Sequence, residues 1–238
     1  MAEYDFAHDK FDTDWRRSQV QIRDQSEGEG LELRLQPHDG GINRFAGGSI
    51  RRENSSHYGC YEVRMQAASH PGVVTGFFTY TGPHYGTRHD EIDIEFLGRN
   101  TRQMHVAWFI DGQLQNHFVD LGFDAAEKMV DYAFEWRPER LRWFVNGALV
   151  FERHAKDGAI PAVPGRLFVN LWAADPSISN WAGTTMPGTQ AKARVAHVRF
   201  TPLNARLHTA IDGSGSTAKN SVADAGTCQL RDFEISNR

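Results

Sequence analysis

Residues 89–98 read His-Asp-Glu-Ile-Asp-Ile-Glu-Phe-Leu-Gly, with acidic and apolar residues in strict alternation. A period of two is the side-chain period of a β-strand. The run therefore predicts a strand with Glu91, Asp93 and Glu95 on one face and Ile92, Ile94 and Phe96 on the other. Short alternating segments recur along the chain: Leu31–Leu35, Tyr58–Met65, Val73–Tyr80, Gln103–Ile110, Tyr132–Trp136, Leu141–Val145, Leu149–Arg153, Leu167–Trp172 and Ala193–Phe200. Gly, Pro, Asn or Asp separate them, and Asn146-Gly147 and Asp111-Gly112 have the composition of tight hairpin turns. No segment keeps a 3.6-residue period over a dozen residues, although Phe123–Met129 has room for one helical turn. Regularly spaced strands without intervening helices predict an all-β sandwich.

The chain has 238 residues, enough for one large all-β domain or two small ones. Its composition shifts after Phe200, which places the end of the main domain near Leu203 (residues 1–203). Residues 204–238 read as a Gly/Ser/Ala-rich linker or tail, with Gln229–Ile235 as one more short strand. A net charge of −4 gives no general attraction to nucleic acid or membrane, so neither is expected as a partner. No apolar run approaches the ~20 residues that span a bilayer. The N-terminus carries no basic, then apolar, leader pattern, so the chain is either cytoplasmic or written without its signal. Two cysteines are too few for a metal site or a disulfide framework. A single Cys60–Cys228 bridge is open; a buried, free Cys60 is the favoured reading.

Three carboxylates on one strand face, with no basic residue between them, are unusual for a solvated surface, where signs mix. Glu91 and Glu95 are about 13 Å apart at Cα on an extended strand, but long side chains leaning inward shorten that gap. Retaining glycosidases need two carboxyl groups about 5–5.5 Å apart, one as nucleophile and one as acid/base. The competing reading is an ordinary amphipathic strand. Most of the many aromatic residues read as core; Trp172 and Trp181, beside turn-type residues, read as candidates for stacking on sugar.

His89-Asp-Glu-Ile-Asp-Ile-Glu-Phe-Leu-Gly resembles the signature of glycoside hydrolase family 16, which includes lichenases, laminarinases and xyloglucan transglycosylases. Tyr58-Gly-Cys-Tyr-Glu-Val, Gly76-Phe-Phe-Thr-Tyr-Thr-Gly-Pro, Leu121-Gly-Phe-Asp, Tyr132-Ala-Phe-Glu-Trp and Asn170-Leu-Trp resemble bacterial lichenase segments in the same order. The likeness covers roughly residues 30–200. It implies a concanavalin-like β-jelly roll of two antiparallel sheets, with a substrate cleft on a concave sheet. It implies endo-cleavage of a β-1,3/1,4-type polysaccharide with retention: Glu91 as nucleophile, Glu95 as general acid/base and Asp93 between them. Two neighbouring negative charges then favour the protonated form of Glu95.

Phe78, Tyr80, Asn170 and Trp172 match lichenase cleft positions unchanged, and Arg51 is kept. His89 stands where lichenases have Trp, as in transglycosylases and some members that cleave exopolysaccharides. It is either a structural imidazole beside the strand, or a cleft residue that contacts sugar or helps to tune Glu91. Ala107 replaces a cleft Asn, Phe109 a Tyr and Ser49 a Glu. His197 replaces the Asp of the family's calcium site, so neither calcium nor another cofactor is expected. Arg51, Arg52, Arg88, Arg99 and Arg102 flank the cleft segments, as surface charge or as partners for acidic groups on an exopolysaccharide. Transglycosylation by the same residues is the first alternative activity, and a non-catalytic carbohydrate-binding jelly roll the second. The expected partner is a polysaccharide, met by a monomer in an extracellular or periplasmic setting.

Overall fold

The computed structural model describes residues 10–23, 30–203 and 228. Among the described residues, fifteen strands form two sheets stacked as a sandwich, the jelly-roll architecture expected. The smaller sheet has β5 (Ser49–Arg51), β7 (Val73–Thr81), β8 (Asp90–Leu97), β9 (Gln103–Ile110), β10 (Gln113–Asp120) and β14 (Arg166–Ala173), in the order β10-β9-β8-β7-β14-β5. The larger contains β1 (Thr13–Trp15), β2 (Val20–Arg23), β3 (Gly30–Pro37), β4 (Phe45–Gly47), β6 (Gly59–Gln66), β11 (Val130–Arg137), β12 (Arg140–Val145), β13 (Ala148–His154) and β15 (Ala191–Pro202). All its pairs are antiparallel except β1 with β4, a local departure from the purely antiparallel expectation.

Alternation puts the apolar set of the long central strands inside. Ile92, Ile94 and Phe96 of β8 meet Tyr61, Val63, Met65, Tyr132, Phe134 and Trp143 of the larger sheet, all essentially solvent-free. Burial of such side chains stabilises the fold by about 1.5–3 kcal/mol each. Trp143 also donates its indole N–H to the Asp93 carbonyl at 3.0 Å, so the larger sheet grips β8 at its middle acidic residue. Both predicted hairpin turns form: Asp111 and Gly112 have φ of 49° and 76°, Asn146 and Gly147 of 48° and 79°. Paired left-handed residues match the twist of the strands that they join.

Cys60 is not free. It is bonded to Cys228, 168 residues away, with Cα atoms 5.6 Å apart. Tyr61, Val63 and Met65 take the core-facing positions of β6, so Cys60 leaves by the outer face of the larger sheet. There the bridge packs with Ala133 and Phe144. Cys228, itself 4% exposed, is the partner that Cys60 finds on that face. Phe123–Met129 forms turns rather than a helical turn, because the Asp124 carboxylate accepts the Thr101 hydroxyl and the Ala126 N–H. Gln229–Ile235 lies outside the described residues. Among the described residues no helix is long and apolar enough to cross a membrane.

Candidate active site

Three rungs of side chains cross the outer face of the six-stranded sheet, aligned by strand register. The first runs Leu114, Phe109, Glu91, Tyr80, Arg166; the second Asn116, Ala107, Asp93, Phe78, Phe168, Arg51; the third Phe118, His105, Glu95, Gly76, Asn170, Ser49. The three carboxylates therefore share one face at the centre of the sheet. Glu91 and Glu95 side chains remain 16% and 17% exposed, while Asp93 is buried. Gly76 leaves the floor open beside Glu95: a Cβ there would lie 2.6 Å from the Asn170 amide oxygen.

Each outer carboxylate has its own imidazole. His89 Nε2 is 2.6 Å from Glu91 Oε2, its ring stacked on Phe109 at 4.7 Å and edge-on to Tyr80 at 5.2 Å. His105 Nδ1 is 3.0 Å from Glu95 Oε2. Burial pushes Glu91 above the usual carboxylate range, opposed by the hydrogen bond and charge of His89; Glu95 adds repulsion. Asp93 is pushed well above its usual range by burial and then by the charges of Glu91 and Glu95, and it hydrogen-bonds Glu91. A carboxyl so placed holds its proton and donates to its neighbour. Asp93 Oδ2 and Asn170 Oδ1 are buried and have no hydrogen-bond partner among the described residues, both on the floor of this face. The strand entry is fixed separately. Asp90 accepts from Arg88 and from the N–H groups of Asp111, Ala162 and Val163, which hold its carboxyl low despite burial.

The model for glycosyl hydrolases family 16 matches residues 7–194. A beta-glucanase of Bacillus amyloliquefaciens is 40% identical over 178 residues, covering 74% of this chain and 70% of that protein. The chain belongs to glycoside hydrolase family 16. A Bacillus subtilis (strain 168) beta-glucanase is 38% identical over 193 residues, 80% of this chain and 76% of that protein. Among solved structures, the Bacillus licheniformis beta-glucanase superposes with a TM-score of 0.75 at 36% identity, over 82% of this chain and 88% of that one. A beta-1,3-1,4-glucanase (lichenase) derived from a mouse hindgut metagenome gives 0.76 at 33% identity, over 82% and 88%.

Within this family-16 chain, Phe78, Tyr80, His89, Phe109, Asn170 and Arg51 all reach the acidic face. Phe78 stacks on Phe168 at 5.0 Å, and Arg51 pairs with Glu53 and reaches the Tyr85 hydroxyl. Trp172 lies inside β14 on the same face as Asn170, 6% exposed and packed with Phe11 and Trp181. Trp181, in the one-turn helix Ser179–Ala182, is half-buried and edge-on to His105 at 5.6 Å. His105, Phe118, Phe168 and Tyr85 were not singled out from the sequence; only strand register reveals that His105 faces Glu95.

The five arginines separate. Arg88 is held by Asp90; Arg52 bonds Ser56 and lies over Phe200; Arg102 reaches the Gly122 carbonyl. Arg99 makes no hydrogen bond or ion pair among the described residues and lines a cavity of about 340 Å³ with Leu97, Asn100, Gln103 and Phe118. His197 faces Arg64 across the strand pair, with Arg199 and Asp131 near.

Proposed function

We propose that the chain is a retaining endo-β-glycanase acting on a β-1,3/1,4-linked polysaccharide, with Glu91 as nucleophile, Glu95 as general acid/base and Asp93 as the proton-bearing carboxyl that steadies Glu91. The observation that carries this reading is the pair of glutamates four residues apart on one open strand face, close enough for Glu95 to perturb Glu91. In the first step a Glu91 oxygen bonds to the anomeric carbon while the bond to the leaving oxygen breaks and Glu95 gives that oxygen its proton. In the second, water attacks the same carbon, Glu95 takes the water proton and Glu91 departs as carboxylate. The names of the relatives, beta-glucanase and beta-1,3-1,4-glucanase, support the glucan class.

A finer reading is a polysaccharide carrying acidic groups. It is supported by Ala107 and Ser49 on the floor, which supply little or no polar side chain, and by the uncommitted Arg99 at its margin. A panel containing lichenan and a succinylated or pyruvylated exopolysaccharide, read by reducing ends and product masses, tests both. Cleavage of neither removes the whole proposal, and strong preference for lichenan removes the finer one. Products longer than the starting oligomer report transfer to a sugar hydroxyl in place of water. The reading includes no metal, so EDTA leaves activity and melting temperature unchanged; a fall in either contradicts that part. Polymer substrates and a disulfide both suit an oxidising, extracytoplasmic setting.

A further inference from the structure

His105 sits opposite Glu95 on the neighbouring strand and touches its Oε2 at 3.0 Å. It is the more deeply buried of the two site imidazoles, with a side chain 5% exposed against 28% for His89. Its ring is packed against Phe118 at 4.5 Å and meets the edge of Trp181 at 5.6 Å. Among these contacts only Glu95 titrates; the two rings are uncharged and limit how the imidazole can turn. A buried imidazole is costly unless its nitrogens are satisfied, and this one is committed to a carboxylate on the reacting face.

We propose that His105 is a positioning residue for proton transfer by Glu95. In the neutral ring with its proton on Nδ1, the N–H donates to Glu95 Oε2 and leaves Oε1 to deliver and recover the catalytic proton. One tautomer serves both half-reactions. When Glu95 is protonated on Oε1, Oε2 is a carbonyl-type acceptor; when Glu95 is ionised, the same bond becomes charge-assisted. Phe118 and Trp181 thereby act on the reaction through the aim of one carboxyl group. The inference rests on the assignment of Glu95 as acid/base above.

The test compares kcat/KM, which reports the first chemical step, on a β-1,3-1,4-glucan and on a 2,4-dinitrophenyl glycoside of a matching oligosaccharide. The dinitrophenolate leaves without a proton, so general acid help matters only for the glucan. His105→Phe keeps a ring between Phe118 and Trp181 but has no donor; His105→Gln keeps a donor. We expect the Phe variant to lose roughly 10–100-fold on glucan, a part of the 10²–10⁴ that a general acid supplies, and under about threefold on the dinitrophenyl glycoside. The Gln variant should recover most of the loss. Equal losses on both substrates, or none on either, overturn the proposal, as does a Gln variant as selective in its loss as Glu95→Ala. His105→Leu provides the same comparison if the Phe variant does not fold. Glu95→Ala is run beside them: if it cleaves glucan normally, the acid/base assignment itself fails. If it shows the leaving-group split and His105→Phe does not, only this inference fails.

Discussion

Burial and two carboxylate neighbours favour the proton on Asp93, and its hydrogen bond then runs from Asp93 to Glu91. An amide can make the same donation. Asp93→Asn should therefore retain more turnover than Asp93→Ala, and equal losses in steady-state kinetics would show that the donated bond is unimportant. His89 works on the same carboxylate from the other side. Its hydrogen bond lowers the Glu91 pKa, and Glu91 as the proposed nucleophile must be ionised to attack. Without that bond the pKa rises, so in His89→Ala the acid limb of the kcat/KM profile moves to higher pH, by about one unit or more for a hydrogen bond to a charged group. An unmoved limb would make His89 purely structural. Glu91, Asp93 and Glu95 were legible in the sequence because a period of two sorts residues by face with no further information. His105 was not, because one histidine in Gln-Met-His-Val-Ala-Trp has no partner until the register of β9 on β8 is known.

Strand β8 is held from three directions: by its neighbours β7 and β9, by Trp143 from the opposite sheet, and by the Asp90 network at its entry. Trp143→Phe removes the indole donor to Asp93 while keeping most of the buried ring. It should cost about 1–3 kcal/mol in urea unfolding from the lost bond and the unfilled space. No change in midpoint would mean that the bond contributes nothing. The long, half-buried strands were read from pattern with ends correct to within a few residues. Strands β1, β2, β4 and β5 were missed because three or four residues cannot display a period, and β10 because seven of its eight residues are exposed and show no apolar stripe. Cys60 was misread because its strand neighbours were taken as a block; sorted by face, it falls with Glu62 and Arg64, away from the core. The Cys60–Cys228 bridge closes 168 residues, a constraint worth roughly 5 kcal/mol in the chain-entropy account. Cys228→Ser should lower the melting temperature by about 10–20 °C. A calorimetric trace identical to that of the parent would contradict that role for the bridge.

At the level of the molecule, the two sheets divide the work. One face of the smaller sheet packs on the larger and fixes the floor; the other presents the three rungs, flanked at one end by Phe11, Trp15, Trp172 and Trp181. On the proposed finer reading, charge across this face selects acidic over neutral glycans. Arg51, Arg52, Arg88 and Arg102 have protein partners, so of these five arginines Arg99 should carry any preference for an acidic polymer. Arg99→Ala should reduce cleavage of an acidic exopolysaccharide several-fold and leave lichenan cleavage unaltered; parallel losses would count against charge recognition. Fold class was accessible from strand rhythm alone, whereas which arginines are committed depends on loops that fold across the strand ends. The chemistry itself predicts a stereochemical outcome. Proton NMR during the first minutes of oligosaccharide cleavage reads the anomer released before mutarotation. The account predicts that the β-anomer appears first, and initial release of the α-anomer would contradict it.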